Sequence, residues 1–259
     1  MKVGAVQPDT IWEDKPANFE KIRSILSAGQ TDPGSLVVLP ETFGTGFSMN
    51  VRQVAESPAR ETEQFLATTA KAMGIYLLGG LVTAAADGKG QNEAVLFDPA
   101  GRMILRYTKI HPFSYGGEPE HYVGGREIVT FPWQGFCVAP FICYDLRFPE
   151  IFRIAARRGA TMFVVIANWP KAREHHWRTL LAARAIENQA FVVGVNRCGR
   201  DPKITYPGAT LILDPRGQVL ADAGDAEGLI QAQPDLHDLQ SYRRDFPALK
   251  DMRSEFLSA

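Results

Sequence analysis

Short apolar runs bounded by turn residues recur along the chain, and stretches with helical spacing separate the early ones. Residues 2–6, 36–39 and 75–82 read as strands, with helices over 17–28 and 61–73 between them. A hairpin follows at 94–98 and 103–106, turned by Asp98-Pro99-Ala100-Gly101, where Pro at the second and Gly at the fourth position suit a type I turn. The same order then returns. Residues 136–142 read as a strand and 150–158 as a helix, with Pro149 suited to its first turn and Gly159 to its end. Residues 162–167 form a buried-type strand. Over 176–188 a helix aligns Trp177, Leu180, Leu181 and Ala185 on one face, and 191–195 is a strand. A second hairpin, 211–214 and 218–221, turns on Asp214-Pro215-Arg216-Gly217.

Each half therefore reads β-α-β-α-β-β-β, and residues 94–101 match 210–217 closely in type. Mostly apolar strands need cover on both faces, so two such sheets are expected to pack on each other with helices outside. The predicted fold is α/β, a four-layer α-β-β-α sandwich with internal pseudo-twofold symmetry. No linker or low-complexity stretch divides the chain, so residues 1–259 are expected to form a single domain. The tail, about 234–259, carries Leu236, Leu239, Tyr242, Phe246, Leu249 and Phe256 and belongs to neither half; it is expected to pack on the body or on a partner subunit.

Composition narrows the classes. The 259 residues hold 28 Lys+Arg against 29 Asp+Glu, a net charge of −1 that gives no reason to expect nucleic acid as a partner. No apolar run approaches the ~18–20 residues that span a bilayer, and the start, residues 1–8, is too short and too soon interrupted for a signal peptide. Cys137, Cys143 and Cys198 cannot all pair and lack zinc-site spacing, so a cytoplasmic protein with no metal is expected.

Ligands in open α/β sheets gather beyond the carboxyl ends of strands. Glu41 follows Leu36-Val37-Val38-Leu39-Pro40, Lys109 follows the first hairpin, and Cys143 follows Val138-Ala139-Pro140-Phe141-Ile142. Singly, each has a plain reading: a solvated loop carboxylate, an exposed edge charge, an inert core thiol. The third segment is the most specific. A strand running into Cys143-Tyr144-Asp145-Leu146-Arg147-Phe148-Pro149 has the layout of a nucleophile elbow, which exposes the sulfur and leaves the Tyr144 N–H for an oxyanion. The helix N-terminus nearby is expected to favour thiolate, and Asp145 to brace the turn by a salt bridge with Arg147. A histidine base is disfavoured: His175 and His176 diverge by about 100° on a helix, which leaves His111, beside Lys109, as the best histidine.

With these residues in place, the chain resembles the nitrilase superfamily of carbon–nitrogen hydrolases, in its omega-amidase branch. The motifs are Leu39-Pro40-Glu41-Thr42-Phe43, Tyr107-Thr108-Lys109-Ile110-His111, the Cys143 segment, Ala167-Asn168-Trp169-Pro170 and Arg184-Ala185-Ile186-Glu187-Asn188-Gln189. The resemblance runs from Val3 to about Phe246 and implies the four-layer sandwich, a homodimer joined partly by C-terminal tails, and no cofactor. It makes Glu41 the general base, Lys109 the oxyanion cation and Cys143 the nucleophile. A second glutamate steadies the lysine; Glu118 fits best by its distance from Gly124-Gly125, with Glu120 close behind. Tyr144-Asp145, where true nitrilases carry Trp-Glu, favours amide over nitrile. The branch cleaves the terminal amide of short dicarboxylic acid monoamides such as 2-oxoglutaramate, which calls for a cation, Arg173 or Arg147, with Phe43, Tyr144 and Trp169 walling a small pocket. The rivals are amidases of deaminated glutathione or of carbamoyl amines and, from another class, a non-catalytic binding scaffold.

Overall fold

The computed structural model describes residues 2–253 and 255. The first half runs β1 (Val3–Gln7), α1 (Lys15–Ala28), β2 (Leu36–Val38), α2 (Val51–Val54), α3 (Glu61–Met73), β3 (Tyr76–Ala84), β4 (Gly90–Phe97) and β5 (Met103–Thr108). After a short α4 (Glu118–His121) the second half runs β6 (Phe131–Trp133), β7 (Phe136–Ile142), α5 (Pro149–Arg157), β8 (Met162–Ala167), α6 (Glu174–Asn188) and β9 (Phe191–Asn196). It continues with β10 (Cys198–Arg200), β11 (Thr205–Pro207), β12 (Leu211–Leu213) and β13 (Val219–Asp222), and the chain then closes with β14 (Gly228–Ala232) and α7 (Leu236–Asp245).

Two six-stranded sheets result, ordered β14-β1-β2-β3-β4-β5 and β13-β12-β9-β8-β7-β6. In each, three parallel strands are flanked by one antiparallel strand on one side and an antiparallel pair on the other. The pseudo-twofold expected from the element order is thus carried by six strands in each sheet, the first sheet taking β14 from the end of the second half.

Side-chain alternation explains the layering. Leu36, Val38, Leu78, Ala94 and Leu96 point into the core shared with Phe141, Val165 and Val193 of the other sheet. Their neighbours Val37, Leu77, Val95 and Phe97 point the other way, onto Phe19, Ile22 and Leu26 of α1 and Phe65 and Leu66 of α3. On the second sheet, Trp177 and Leu181 of α6 close onto the bare backbone of Gly194 in β9. The helix ends follow local chemistry: Asp14 accepts from Ala17 N to cap α1, and Pro149 opens α5.

Four strands were not legible in the periodicity. β6 is three residues long with Pro132 inside it, which suits an edge position. β10 and β11 make a separate small hairpin. β14 is half-buried along its whole length, so it shows no apolar–polar alternation, yet it pairs antiparallel with β1 from Val3↔Ala232 to Gln7↔Gly228. Within the tail, α7 packs on the second half: Leu239 is fully buried, and Arg243 donates from Nε to Gln189 O at 2.8 Å and from Nη2 to Ala160 O at 3.0 Å. Phe256 lies outside the described residues. Among the described residues, no helix is long and apolar enough to cross a membrane.

One glycine in β3 decides where the segment after β2 can lie. A Cβ on Gly80 would stand 2.5 Å from Thr42 N and 2.7 Å from Glu41 Cα, and Gly80 N donates to Pro40 O at 3.2 Å. Gly80→Ala is therefore expected to destabilise by about 1–3 kcal/mol through overpacking against backbone, a fall of several degrees in Tm by thermal melting. Gly228→Ala in β14, where the added methyl meets nothing within 4 Å, is the matched control and should leave Tm nearly unchanged.

Candidate active site

Five side chains from separate strands meet at the carboxyl end of the sheets. Glu41 lies just beyond β2, Lys109 just beyond β5, Cys143 just beyond β7 and Asn168 just beyond β8, while Asn92 lies within β4. Glu118 opens α4. Glu41 and Lys109 are each 1% exposed and Glu118 is fully buried.

Lys109 Nζ is the centre of the group. It donates to Glu41 Oε1 at 3.2 Å and to Glu118 Oε1 and Oε2 at 3.0 and 2.8 Å, and it stands 5.0 Å from the centre of the Phe47 ring. Phe113 N also donates to Glu118 Oε2. Burial by itself disfavours the ammonium, but the charges of Glu41, Glu118 and Cys143 outweigh it and hold Lys109 above the ordinary lysine value. Of the two glutamates proposed from spacing, Glu118 reaches the lysine and Glu120 is exposed.

Glu41 is held by four further contacts. Oε1 accepts from Asn92 Nδ2 at 2.7 Å, and Oε2 accepts from Asn168 N at 2.7 Å and Asn168 Nδ2 at 3.2 Å. Asn168 Nδ2 also donates to Glu41 O at 2.9 Å, so one side chain from the second sheet fixes both the backbone and the carboxylate of a residue from the first. Thr42 beside it sits at φ 42°, a strained value for a β-branched residue.

Cys143 occupies the turn anticipated for it. Its φ is 47°, and residues Cys143–Arg147 form one tight 3-10 turn leading into α5. The brace of this turn differs from the expected Asp145–Arg147 ion pair. Asp145 is fully buried and accepts from Ile142 N at 3.0 Å, Tyr107 Oη at 2.7 Å and His111 N at 2.9 Å, with His111 Nδ1 also at 2.9 Å. Its carboxylate thus ties the elbow to the strand that delivers Lys109, and it engages the best histidine candidate as well. Arg147 points elsewhere, lying 4.9 Å from the Trp169 ring with Nη2 3.2 Å from His176 Nδ1. The expectation of a favoured thiolate is also overturned. Burial and then the Glu41 charge push the Cys143 thiol well above its ordinary value, against a downward pull from Lys109 and the Asn168 N–H.

A cavity of about 480 Å³ opens onto these groups, with Cys143, Lys109, Tyr144, Asn168, Trp169, Arg147 and Arg173 among its walls. Arg173 lies 5.6 Å from the Phe113 ring, and its carbonyl accepts from Trp169 Nε1 at 2.7 Å. Among the described residues, neither Arg147 nor Arg173 is ion-paired with a carboxylate. Phe43, expected on the pocket wall, is not there: it is fully buried against Phe19 and Phe65, with ring centres 6.0 and 5.8 Å away. Its ring lies over Gly79 in the helix-side core, where Phe47, four residues on, takes the place by the lysine. Asn92, Phe47 and the β10–β11 hairpin, which adds Asp201, Lys203 and Tyr206 to the cavity wall, are not marked by spacing in the sequence. Asn92 stands between Gln91 and Glu93 in the polar start of β4, so the sequence carried no signal for it. Among the described residues, no group of three or more His, Cys, Asp or Glu is placed to hold a metal ion.

Comparison with known proteins gives a consistent picture. The family model described as carbon–nitrogen hydrolase matches residues 2–244. The chain is 39% identical to an omega-amidase of Yersinia enterocolitica over 97% of its own length and 96% of the relative's. It is 34% identical to a 2-oxoglutaramate amidase of Bacillus subtilis, with 98% of each covered. Among solved structures, a CN-hydrolase superfamily protein of Xanthomonas campestris with an arsenic adduct in its active site superposes with a TM-score of 0.90 at 33% identity, covering 98% of this chain and 97% of that one. A mutant amidase of Nesterenkonia sp. AN1, in which the acetamide moiety of fluoroacetamide is bound covalently to the active-site cysteine, gives 0.87 at 26% identity, covering 99% and 95%.

The raised Cys143 thiol sets a measurable sign. The difference in thiolate ultraviolet absorbance between the wild type and Cys143→Ala should show no step as pH rises through ~8.5, the ordinary thiol value. Burial, Glu41 and Glu118 all push the thiol up, so Glu41→Gln removes one of three upward pushes and should move the step to lower pH.

Proposed function

The chain belongs to the carbon–nitrogen hydrolase family and is an amidase of that family, and we propose that it hydrolyses the terminal amide of a short dicarboxylic acid ω-amide, 2-oxoglutaramate-like, to carboxylate and ammonia. The observation that carries this reading is one cavity that presents Cys143 and Lys109 together with two guanidinium groups, Arg147 and Arg173, that have no carboxylate partner among the described residues. The catalytic groups meet the amide, and the guanidiniums suit an anionic tail. Omega-amidase and 2-oxoglutaramate amidase are also the names of its relatives.

The chemistry follows from the charges. Glu41 takes the proton of the Cys143 thiol as sulfur attacks the amide carbon. The carbonyl π pair moves onto oxygen, where the Lys109 ammonium and the Tyr144 N–H receive it; one such donor is worth about 2.7–4 kcal/mol in comparable sites. The tetrahedral intermediate collapses, the C–N bond breaks, and Glu41 returns its proton to the leaving nitrogen, releasing ammonia. Glu41 then deprotonates a water, whose oxygen attacks the thioester and frees the second carboxylate with the thiol restored. Glu118 keeps Lys109 aimed throughout. Tyr144 and Trp169 wall the substrate, and Arg173, with Arg147, holds its far carboxylate.

We read residues 1–259 as one catalytic unit working as a homodimer. Ile186 on α6 and Phe246 after α7 are 52% and 58% exposed, and Gln189 Nε2 donates to Phe246 O at 2.8 Å, which puts both apolar groups by the end of α6. The three unpaired cysteines suit a reducing, cytoplasmic setting.

Two measurements test the reading. Quenched turnover of 2-oxoglutaramate should leave an acyl adduct on Cys143 by mass spectrometry, and Cys143→Ser retaining wild-type turnover would overturn the nucleophile. In a substrate panel, ammonia release should be fastest from a 2-oxo acid ω-amide. Arg173→Ala should raise its KM about tenfold, equivalent to ~1.4 kcal/mol, while a neutral amide is unaffected. Equal rates on neutral amides, on deaminated glutathione or on a carbamoyl amine would reject the substrate assignment.

A further inference from the structure

Asn92 lies 1% exposed in β4, beside an apolar run, Ala94 to Phe97. Its Nδ2 donates to Glu41 Oε1 at 2.7 Å and to Glu118 Oε1 at 3.2 Å, and its backbone carbonyl accepts from Lys109 N at 2.8 Å. Its Oδ1 is buried with no hydrogen-bond partner. Turning the amide over would set that oxygen against two carboxylate oxygens with no hydrogen between them. The orientation is therefore fixed by what the nitrogen holds, and the fold tolerates an orphaned acceptor to keep it.

The two oxygens of Glu41 stand in different surroundings. Oε1 is occupied by Asn92 and Lys109. Oε2 accepts from Asn168 N at 2.7 Å and Asn168 Nδ2 at 3.2 Å, both from the second sheet. Oε1 is thus the oxygen tied to Glu118 through a shared donor, and Oε2 the one tied to the other sheet.

We propose that Asn92 is a positioning residue of the hydrolysis: its one amide group locks Glu41 Oε1 and Glu118 Oε1 together beside Lys109, and so fixes where the Glu41 carboxylate stands while it takes and returns the proton. The titratable groups facing this pair are Lys109 from the end of β5, Cys143 from the elbow, and the phenols of Tyr122 after α4 and Tyr206 in β11. Both phenols are held above the ordinary tyrosine value, chiefly by burial, so neither titrates with the carboxylates. Removing the shared donor weakens the hold on both anions, which favours their protonation.

The proposal rests on Glu41 being the base, and the experiment separates the two. Asn92→Asp keeps the shape and replaces the donor by an acceptor; Asn92→Leu keeps the bulk and removes both. With 2-oxoglutaramate as substrate, each should lose about ten- to a hundredfold in kcat, a part of the roughly 10²–10⁴-fold that a general base contributes, with KM nearly unchanged. The acid limb of kcat/KM should move to higher pH in Asn92→Leu. Added to Glu41→Gln, Asn92→Leu should slow turnover no further, because it acts through that carboxylate. Wild-type kcat and acid limb in both variants, a raised KM with kcat intact, or full additivity with Glu41→Gln would each overturn the proposal. Should Glu41→Gln turn over like the wild type, the base assignment itself fails. An inactive Glu41→Gln beside unimpaired Asn92 variants sinks the positioning role alone. Thermal melting of the isosteric Asn92→Asp keeps the comparison among folded proteins.

Discussion

The buried ammonium of Lys109 between Glu41 and Glu118 is the interaction on which the rest of the structure turns. One cation and two carboxylates, all withdrawn from water, leave a local surplus of one negative charge. Such a group persists in a low-dielectric interior only if its remaining lone pairs are met by donors. The N–H groups of Asn92, Asn168 and Phe113 supply them, each from a different part of the chain. The surplus negative charge also explains the neighbouring sulfur. Forming a thiolate there would add a second uncompensated charge, which joins burial in holding the Cys143 thiol above its ordinary value.

That arrangement needs the two halves of the molecule to be locked together, and the contacts doing so are polar. The Asn168 side chain, from the end of β8, grips Glu41, from the end of β2, by backbone and side chain alike. Asp145 in turn joins the elbow after β7 to Tyr107 in β5 and His111 beyond it. The apolar core sets how far apart the sheets lie, while these buried bonds set their lateral offset. Strain sits where the chain leaves the strands, at Thr42 and Cys143, both with positive φ. Neighbours that accept no other geometry hold both residues there.

Much of this was legible beforehand, and the reasons are local. The strand runs, the two Asp-Pro-x-Gly hairpins and the Pro149 helix start are written in short windows, so the β-α-β-α-β-β-β order could be read twice. Glu41 and Cys143 could be picked because each follows an apolar run, and Lys109 because it follows the first hairpin. What escaped depends on partners distant in sequence. Asn92 differs from a structural strand asparagine only through the two carboxylates it meets. Phe43 and Phe47 are the same residue type four positions apart, and only tertiary packing decides that the first fills the core and the second flanks the lysine. The brace on Asp145 was assigned to the nearest cation in the chain, whereas the backbone donors of Ile142 and His111, with the Tyr107 hydroxyl, took it inside.

The placement of β14 has a consequence for biogenesis. The strand that borders β1 is the last of the chain, and the three parallel strands of the first sheet are all made long before it. During synthesis on the ribosome, one flank of β1 therefore stays open, with its amide groups unpaired, until residues 228–232 have emerged. An open edge of that kind is what aggregation exploits and what chaperones shield, so the nascent first half is the interval of greatest exposure in the life of this polypeptide.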